Sequence, residues 1–384
     1  MKSIKYLLLS VVLLASACRK DAPELMNPNE SRMTSTPSQV FETFWRAMNN
    51  TYVFWDIDPA DWDKILDDYL PRFRELDALE TVETEKLQEL YTEICENLVD
   101  HHFSLAIIND KAPEDAETRQ ITVQPGIDEA MSRDYFHLYF SWEAFWSCIA
   151  KYKSAGRISD FAEGQNKDMY ACSYNIDGGI IYFHLSGFAI SDAKPDDPED
   201  TVMEAVDNYL RLIQETPEIK GVILDVRGNG GGQLTMAEKL AARFTDESIH
   251  VGYIQHKTGT GHSDFSEPEE QILKPSSGIR WHKKVVVLTN REVFSAANEF
   301  VKYMKCCPNV TVVGDKTGGG AGMPFSSEMP NGWAVRFSAC PMYDKDMQCT
   351  EFGIEPDYNI SLTDDDFLRG RDTIIEYART IINN

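Results

Sequence analysis

Ser295 stands between an apolar, β-branched run, Val285-Val286-Val287-Leu288-Thr289, and a helix-forming stretch, Ala296-Ala297-Asn298-Glu299-Phe300-Val301. That layout puts a hydroxyl on a strand-to-helix turn, exposed and beside the free N–H groups of a helix start. Earlier in the chain a second apolar run, Gly221-Val222-Ile223-Leu224-Asp225-Val226, feeds Arg227-Gly228-Asn229-Gly230-Gly231-Gly232. Such a loop can offer bare backbone N–H donors. A hydroxyl nucleophile and a site for a developing oxyanion are what acyl transfer requires. Each feature also has a plainer reading. The glycines can serve a tight turn, and a serine at a helix start can be a cap. A phosphate cradle is a third reading of the loop, but it lacks the following Lys-Ser/Thr, and its glycine spacing is wrong for dinucleotides.

A serine hydroxyl is a weak nucleophile without a base. His101 and His102, in Leu98-Val99-Asp100-His101-His102-Phe103-Ser104-Leu105, are the candidates, because a carboxylate and a hydroxyl flank them. The alternative is a surface or packing histidine, which is how His137, His184, His250, His256, His262 and His282 are read. No H-E-x-x-H motif and no C-x-x-C or zinc-type Cys/His spacing occurs, so neither a metal nor another cofactor is expected.

The elements that must position these groups follow two patterns. Residues 38–105 read as helical, with Phe41, Phe44, Trp45 and Met48 on one stripe, and Trp62, Ile65, Leu66, Tyr69 and Leu70 on another. Asp58 or Asp61 is placed to cap the second helix. Residues 106–177 form a connecting or insert region, with strands expected at 121–123 and 135–140 and a helix at 142–153. From 178 onward strands and helices alternate: strands at 179–185, 222–226, 285–288 and 310–313, and helices at 202–212, 234–244 and 296–305. This rhythm predicts an α/β fold with a mostly parallel sheet. In such sheets ligands bind at the carboxyl ends of strands, where both the glycine loop and Ser295 fall.

The chain has 384 residues, 42% of them hydrophobic, and a net charge of −25. An acidic chain without a basic cluster is not a nucleic-acid binder. Lys2 and Lys5, a short apolar run over 6–14, and Leu14-Ala15-Ser16-Ala17-Cys18 read as a lipoprotein leader over residues 1–18, with Cys18 as the lipidation site and cleavage after small residues as the competing reading. Residues 19–38 read as a flexible tether. The expected location is the bacterial cell envelope, with the membrane engaged through the lipid anchor only. The seven remaining cysteines cannot all pair within the chain. Most read as small buried hydrophobes, and a Cys340–Cys349 bridge is one alternative.

In order along the chain, these segments resemble the C-terminal-processing and tricorn-type serine peptidases. Residues 224–232 are similar to the family's D-L-R-x-N-x-G-G loop. Residues 295–300 resemble its S-A-x-E-x-F segment, with Asn298 where Glu is usual. Val313-Gly314-Asp315-Lys316-Thr317 and Gly353-Ile354-Glu355-Pro356-Asp357 resemble later signatures, and residues 98–102 resemble L-x-D-G-H, with His101 in the glycine place. The resemblance implies a core of Clp protease/crotonase-like type behind an N-terminal helical subdomain (39–105), with a catalytic domain over 178–384. It implies a peptide or protein substrate. One branch of the family takes its base from T-F-G-K-G, and here Gly320 stands in the lysine place. The tricorn-like branch, which also lacks the regulatory PDZ domain not evident in 106–175, uses a histidine that maps onto His102. Its supporting carboxylate maps nearest to Glu351, one residue closer to the glycine than the pattern. Ser295 is then the nucleophile. Gly231 and Ala296 donate to the oxyanion, with Gly230 as the alternative donor. An esterase-type acyl hydrolase would use the same residues. A non-catalytic protein binding a peptide or an apolar ligand would use the same scaffold.

Overall fold

The computed structural model describes residues 36–109, 111–113, 116, 119–132, 142–190, 199–216 and 218–384. The leader with Cys18, nearly all of the tether, the strand expected at 135–140 with His137, and most of the acidic connection before 200 lie outside these residues.

Three helices open the described chain: α1 (Pro37–Thr51), α2 (Trp62–Leu76) and α3 (Thr84–Cys95). Strands β1 (Ser104–Ile108) and β2 (Gln120–Val123) follow, then helices α4 (Pro125–Ser132) and α5 (Trp142–Ser154). Next come β3 (Ile158–Gln165), β4 (Tyr170–Ile176), β5 (Ile180–Leu185), α6 (Val202–Glu215) and β6 (Gly221–Asp225). The chain continues through α7 (Leu234–Ala241), β7 (Ile249–Ile254), β8 (Glu269–Leu273), β9 (Lys284–Thr289), α8 (Ala296–Lys305) and β10 (Val310–Gly314). It ends with β11 (Gly322–Glu328), β12 (Ala334–Tyr343), β13 (Tyr358–Asn359), α9 (Asp364–Leu368) and α10 (Thr373–Asn383).

The central sheet has the order β13-β10-β9-β6-β5-β4-β3. Strands β13, β10, β9, β6 and β5 run parallel, and β4 and β3 extend the edge antiparallel. The region between 106 and 177 therefore contributes two strands to the main sheet. Alternation along each strand fills both faces. Val285 and Val287 pack with α6, α7 and α8, and Val286 and Leu288 pack with α5 and α10. A strand buried on both sides reads as a continuous apolar run, which is why β6 and β9 stand out in the sequence.

A second sheet, β2-β1-β12-β7-β8 with β11 on β12, carries the N-terminal helices. Phe41, Phe44, Phe73, Tyr91 and Leu98 pack there with Val335 and Phe337 of β12. Each fully buried Phe contributes roughly 1.5–3 kcal/mol relative to an exposed one. Thr36 closes a capping box on α1, and Asp61 caps α2 by accepting from Lys64 N at 3.1 Å. Asp58, the alternative cap, instead turns inward to the Tyr52 hydroxyl at 2.8 Å and Val99 N at 3.1 Å. The described cysteines are all free, so Cys340 and Cys349 are not bridged; the Cys340 thiol donates to Gln255 O.

Candidate active site

Strands β6 and β9 are parallel neighbours, paired from Gly221–Lys284 to Asp225–Leu288. The glycine loop and the Ser295 turn leave their adjacent carboxyl ends, so sheet topology alone brings them together. Hydrogen bonds then fasten one to the other. Asn290 Oδ1 accepts from Gly228 N at 3.1 Å, and Asn229 O accepts from Phe294 N at 3.1 Å. Ser295 has φ 56° and ψ −123°, a conformation that costs a non-glycine residue about 1–3 kcal/mol. It stands at the N-cap of α8, yet its side chain makes no capping bond, so the hydroxyl is left for other work.

The backbone donors around it are unequally available. Ser295 N–H donates to Gly319 O at 2.9 Å. Gly231 N–H donates to Asn229 Oδ1 at 2.9 Å, so the expected Gly231 donor is already engaged. The Gly230 and Ala296 N–H groups have no acceptor among the described residues, and both residues line the cavity beside Ser295. Among the described residues the unengaged backbone donors beside Ser295 are thus those of Gly230 and Ala296, whereas the resemblance puts Gly231 first. Gly231 has a spacing role instead. A Cβ on it would lie 2.8 Å from Phe294 O and 2.9 Å from Ser295 Cβ.

His102 comes from the turn between α3 and β1. Its Nε2 lies 3.0 Å from Ser295 Oγ, although the two residues are 193 positions apart. The ring packs on Phe294, with centroids 4.7 Å apart. Burial, aided by the Arg336 guanidinium and His101, pushes the imidazole down to about 3, which keeps it neutral while nothing negative faces it. Its Nδ1 is buried and has no partner among the described residues.

Glu351 does not reach that nitrogen. One of its oxygens accepts from His101 N at 2.7 Å and the other from Ala321 N at 2.7 Å. Asp100, fully buried, does the matching job on the next residue: Oδ1 accepts from His102 N at 2.9 Å and from Ser338 Oγ at 2.8 Å, and Oδ2 accepts from Ser338 N at 2.7 Å. Two buried carboxylates thus grip the consecutive amides of His101 and His102 and tie them to β11 and β12. Burial raises Asp100 to about 6 and, with the Asp100 charge, holds Glu351 well above the usual carboxylate range. His101 itself turns its Nδ1 to Gly318 O at 2.9 Å.

The sequence profile described as peptidase family S41 matches residues 179–360. A solved structure of a candidate peptidase from Parabacteroides merdae is 35% identical, covers 91% of this chain and 98% of its own, and superposes with a TM-score of 0.69. The chain belongs to peptidase family S41. Two curated members are the carboxy-terminal processing protease CtpA of Bacillus subtilis, 28% identical over 43% of this chain, and the tricorn protease of Thermoplasma acidophilum, 25% identical over 47%. The chain spans only 34% and 16% of the lengths of those two relatives.

Within this S41 chain, the place of the family's lysine is closed by geometry as well as by residue type. Gly320 has φ 80°, and a Cβ on it would lie 2.5 Å from Phe294 Cε2. Lys316 faces away, 3.3 Å from Glu355 Oε1, and does not line the cavity. The cavity holds about 600 Å³ and is bordered by Ser295, His101, His102, Gly230, Arg336 and Glu299, among others. Arg336 and Glu299 were not legible as site residues. Arg336 lies on an outward position of a strand whose pairing the sequence does not announce, and Glu299 reads as an ordinary helix acid.

Proposed function

We propose that the protein is a serine peptidase of the tricorn-like type. Ser295 Oγ attacks a peptide carbonyl as His102 Nε2 takes its proton, and the imidazolium then returns that proton to the leaving amine. The carbonyl oxygen, charged in the tetrahedral state, is received by the Gly230 and Ala296 N–H groups. Water then releases the acyl group by the same steps. The observation that carries the reading is the 3.0 Å approach of His102 Nε2 to a Ser295 hydroxyl that caps nothing. A fluorophosphonate probe should label the protein and fail to label Ser295→Ala; equal labelling of the two would remove Ser295 as nucleophile.

A peptide-binding protein without catalysis is the second reading. The observation in its favour is the unpartnered His102 Nδ1, where an orienting group would stand. The labelling experiment separates the two.

Cys18, following a short apolar run, supports a lipid tether to a bacterial membrane. Among the described residues no helix is long and apolar enough to cross one. Cys18→Ser should move the protein from the membrane fraction to the soluble fraction; unchanged membrane retention would refute the lipid anchor.

A further inference from the structure

Among the described residues bordering the cavity beside Ser295, Glu299 and Arg336 are the ones with a full formal charge. The Glu299 carboxylate is buried and held by Lys302. Arg336 is not held. It is exposed on β12, and its side chain has neither an ion pair nor a hydrogen bond among the described residues. A guanidinium stays charged at any working pH, so a fork of N–H donors is left at the cavity wall for a ligand.

Strand register fixes where that charge stands. Arg336 lies directly opposite Ser104 of β1 and Ser326 of β11, and opposed residues on antiparallel strands project to one face. A guanidinium thus stands between two hydroxyls in a row across the sheet. Ser104 follows His102 by two residues and also lines the cavity, so the row lies on the His102 side of Ser295. The imidazole feels it, since the Arg336 charge helps to hold His102 below its ordinary value. In the proposed reaction His102 hands its proton to the leaving amine, so the departing half of the substrate runs over this side. The two buried acids of the site are engaged elsewhere, Asp100 on Ser338 and His102 N, and Glu351 on His101 N and Ala321 N. Glu328 of β11 stands opposite Ala334 rather than Arg336.

Resting on the peptidase reading, we infer that Arg336 is a specificity-determining residue that selects substrates carrying an acidic side chain, Asp or Glu, shortly after the scissile bond. A carboxylate presents paired acceptors in the plane of the guanidinium fork, and its bond is charge-assisted. Glutamine matches the length of glutamate but is neutral. A lysine in the same place meets a like charge. The field of the whole molecule works against this preference: at a net charge of −25 it repels an acidic peptide, so a gain from Glu has to come from a local cation. A carboxylate on Arg336 also offsets the positive charge beside His102 and so favours the imidazolium of the transition state.

The test uses peptides acetylated at one end and amidated at the other, so that no chain-end carboxylate is present. Glu, Gln or Lys is placed in turn at the first, second or third residue after the bond cleaved, which is identified by mass spectrometry. At one of these positions the wild type should cleave the Glu peptide about fivefold faster in kcat/KM than the Gln peptide, with the Lys peptide slowest, and added salt should shrink the Glu-to-Gln ratio. Arg336→Gln should bring Glu and Gln to parity at that position, and Arg336→Glu should put Lys ahead of Glu. A purely structural role for Arg336 would slow all the peptides together and leave their ratios fixed, which would overturn the inference. Equal rates in the wild type at all three positions would also overturn it. A gain seen only when the terminal amide is exchanged for a free acid, with none from Glu, would assign Arg336 to chain ends and overturn the side-chain assignment. Binding of the same peptides to Ser295→Ala, followed by fluorescence anisotropy, separates this claim from the peptidase reading. If the wild type cleaves nothing, the peptidase reading fails, while a Glu preference in binding that is lost on adding Arg336→Gln upholds the role of Arg336, and equal binding refutes it.

Discussion

At the scale of single residues, the site depends on backbone conformations that only certain positions tolerate. Ser295 is held at positive φ by its flanks: its N–H on Gly319 O, and its carbonyl accepting from Glu299 N. Gly231 allows this by having no side chain, since it lies against Phe294 O and Ser295 Cβ and has φ 102°. Gly230 has nothing within 4 Å of its ideal Cβ. Gly231→Ala should therefore lower stability by roughly 1–3 kcal/mol from the backbone strain alone, and should sharply slow fluorophosphonate labelling by displacing the Ser295 turn. Gly230→Ala should melt within a degree or two of the wild type. Urea unfolding and labelling of the two variants check the contrast; equal destabilisation would mean that the close approach at Gly231 carries no weight. The glycine loop and Ser295 are legible in the sequence as a pair, because both follow the carboxyl ends of apolar strands; singly, each also reads as a turn or a cap. Which glycine donates was not readable, because it turns on the Asn229 side chain closing onto Gly231 N.

At the scale of elements, the turn that presents His102 is held by two buried carboxylates rather than by regular structure. Asp100 binds it to β12 through Ser338, and Glu351 binds it to the start of β11 through Ala321. Both acids titrate above their unfolded values, Asp100 at about 6. The folded protein then holds protons that the unfolded chain has released. Their contribution to stability is fullest below the unfolded carboxylate values and declines as pH rises through the folded ones. His102 acts oppositely, since its folded value near 3 makes stability fall as pH drops below the ordinary imidazole value of about 6.5. Between pH 8 and 6 the two trends oppose each other, with His184, lowered by burial to about 4, acting on the side of His102. Glu351→Gln should gain less, or lose more, in urea midpoint on acidification than the wild type; an identical pH dependence would show that Glu351 does not take up a proton in this range. The sequence pointed to Glu351 by its distance from the Gly353-Ile354-Glu355-Pro356-Asp357 signature, but spacing says nothing of direction. The carboxylate meets the amide of His101, not the ring of His102.

At the scale of the whole molecule, the site exists because two separately packed layers meet. Ser295 belongs to a parallel sheet whose buried strands are plain as apolar runs. His102 belongs to a helical layer mounted on a second, antiparallel sheet, in which β12 pairs with β1 and β7 and donates from Ser338 to Asp100, while Tyr343 O at the end of β12 accepts from Lys302 of α8 in the other layer. The parallel core and the helices were legible because their apolar periods are clean. The second sheet was not. Its strands include acidic, half-exposed segments such as β8 and a strand, β12, interrupted by Pro341, and their pairing is set by partners far away in the chain. Whether the histidine of one layer serves the serine of the other is decided by peptide hydrolysis rates of His102→Ala and Lys316→Ala measured beside the wild type. Removing a positioned general base should cost about 10²–10⁴ in kcat/KM, and Lys316→Ala should keep most of the activity. An active His102→Ala enzyme beside a silent Lys316→Ala enzyme would make Lys316, not His102, the base.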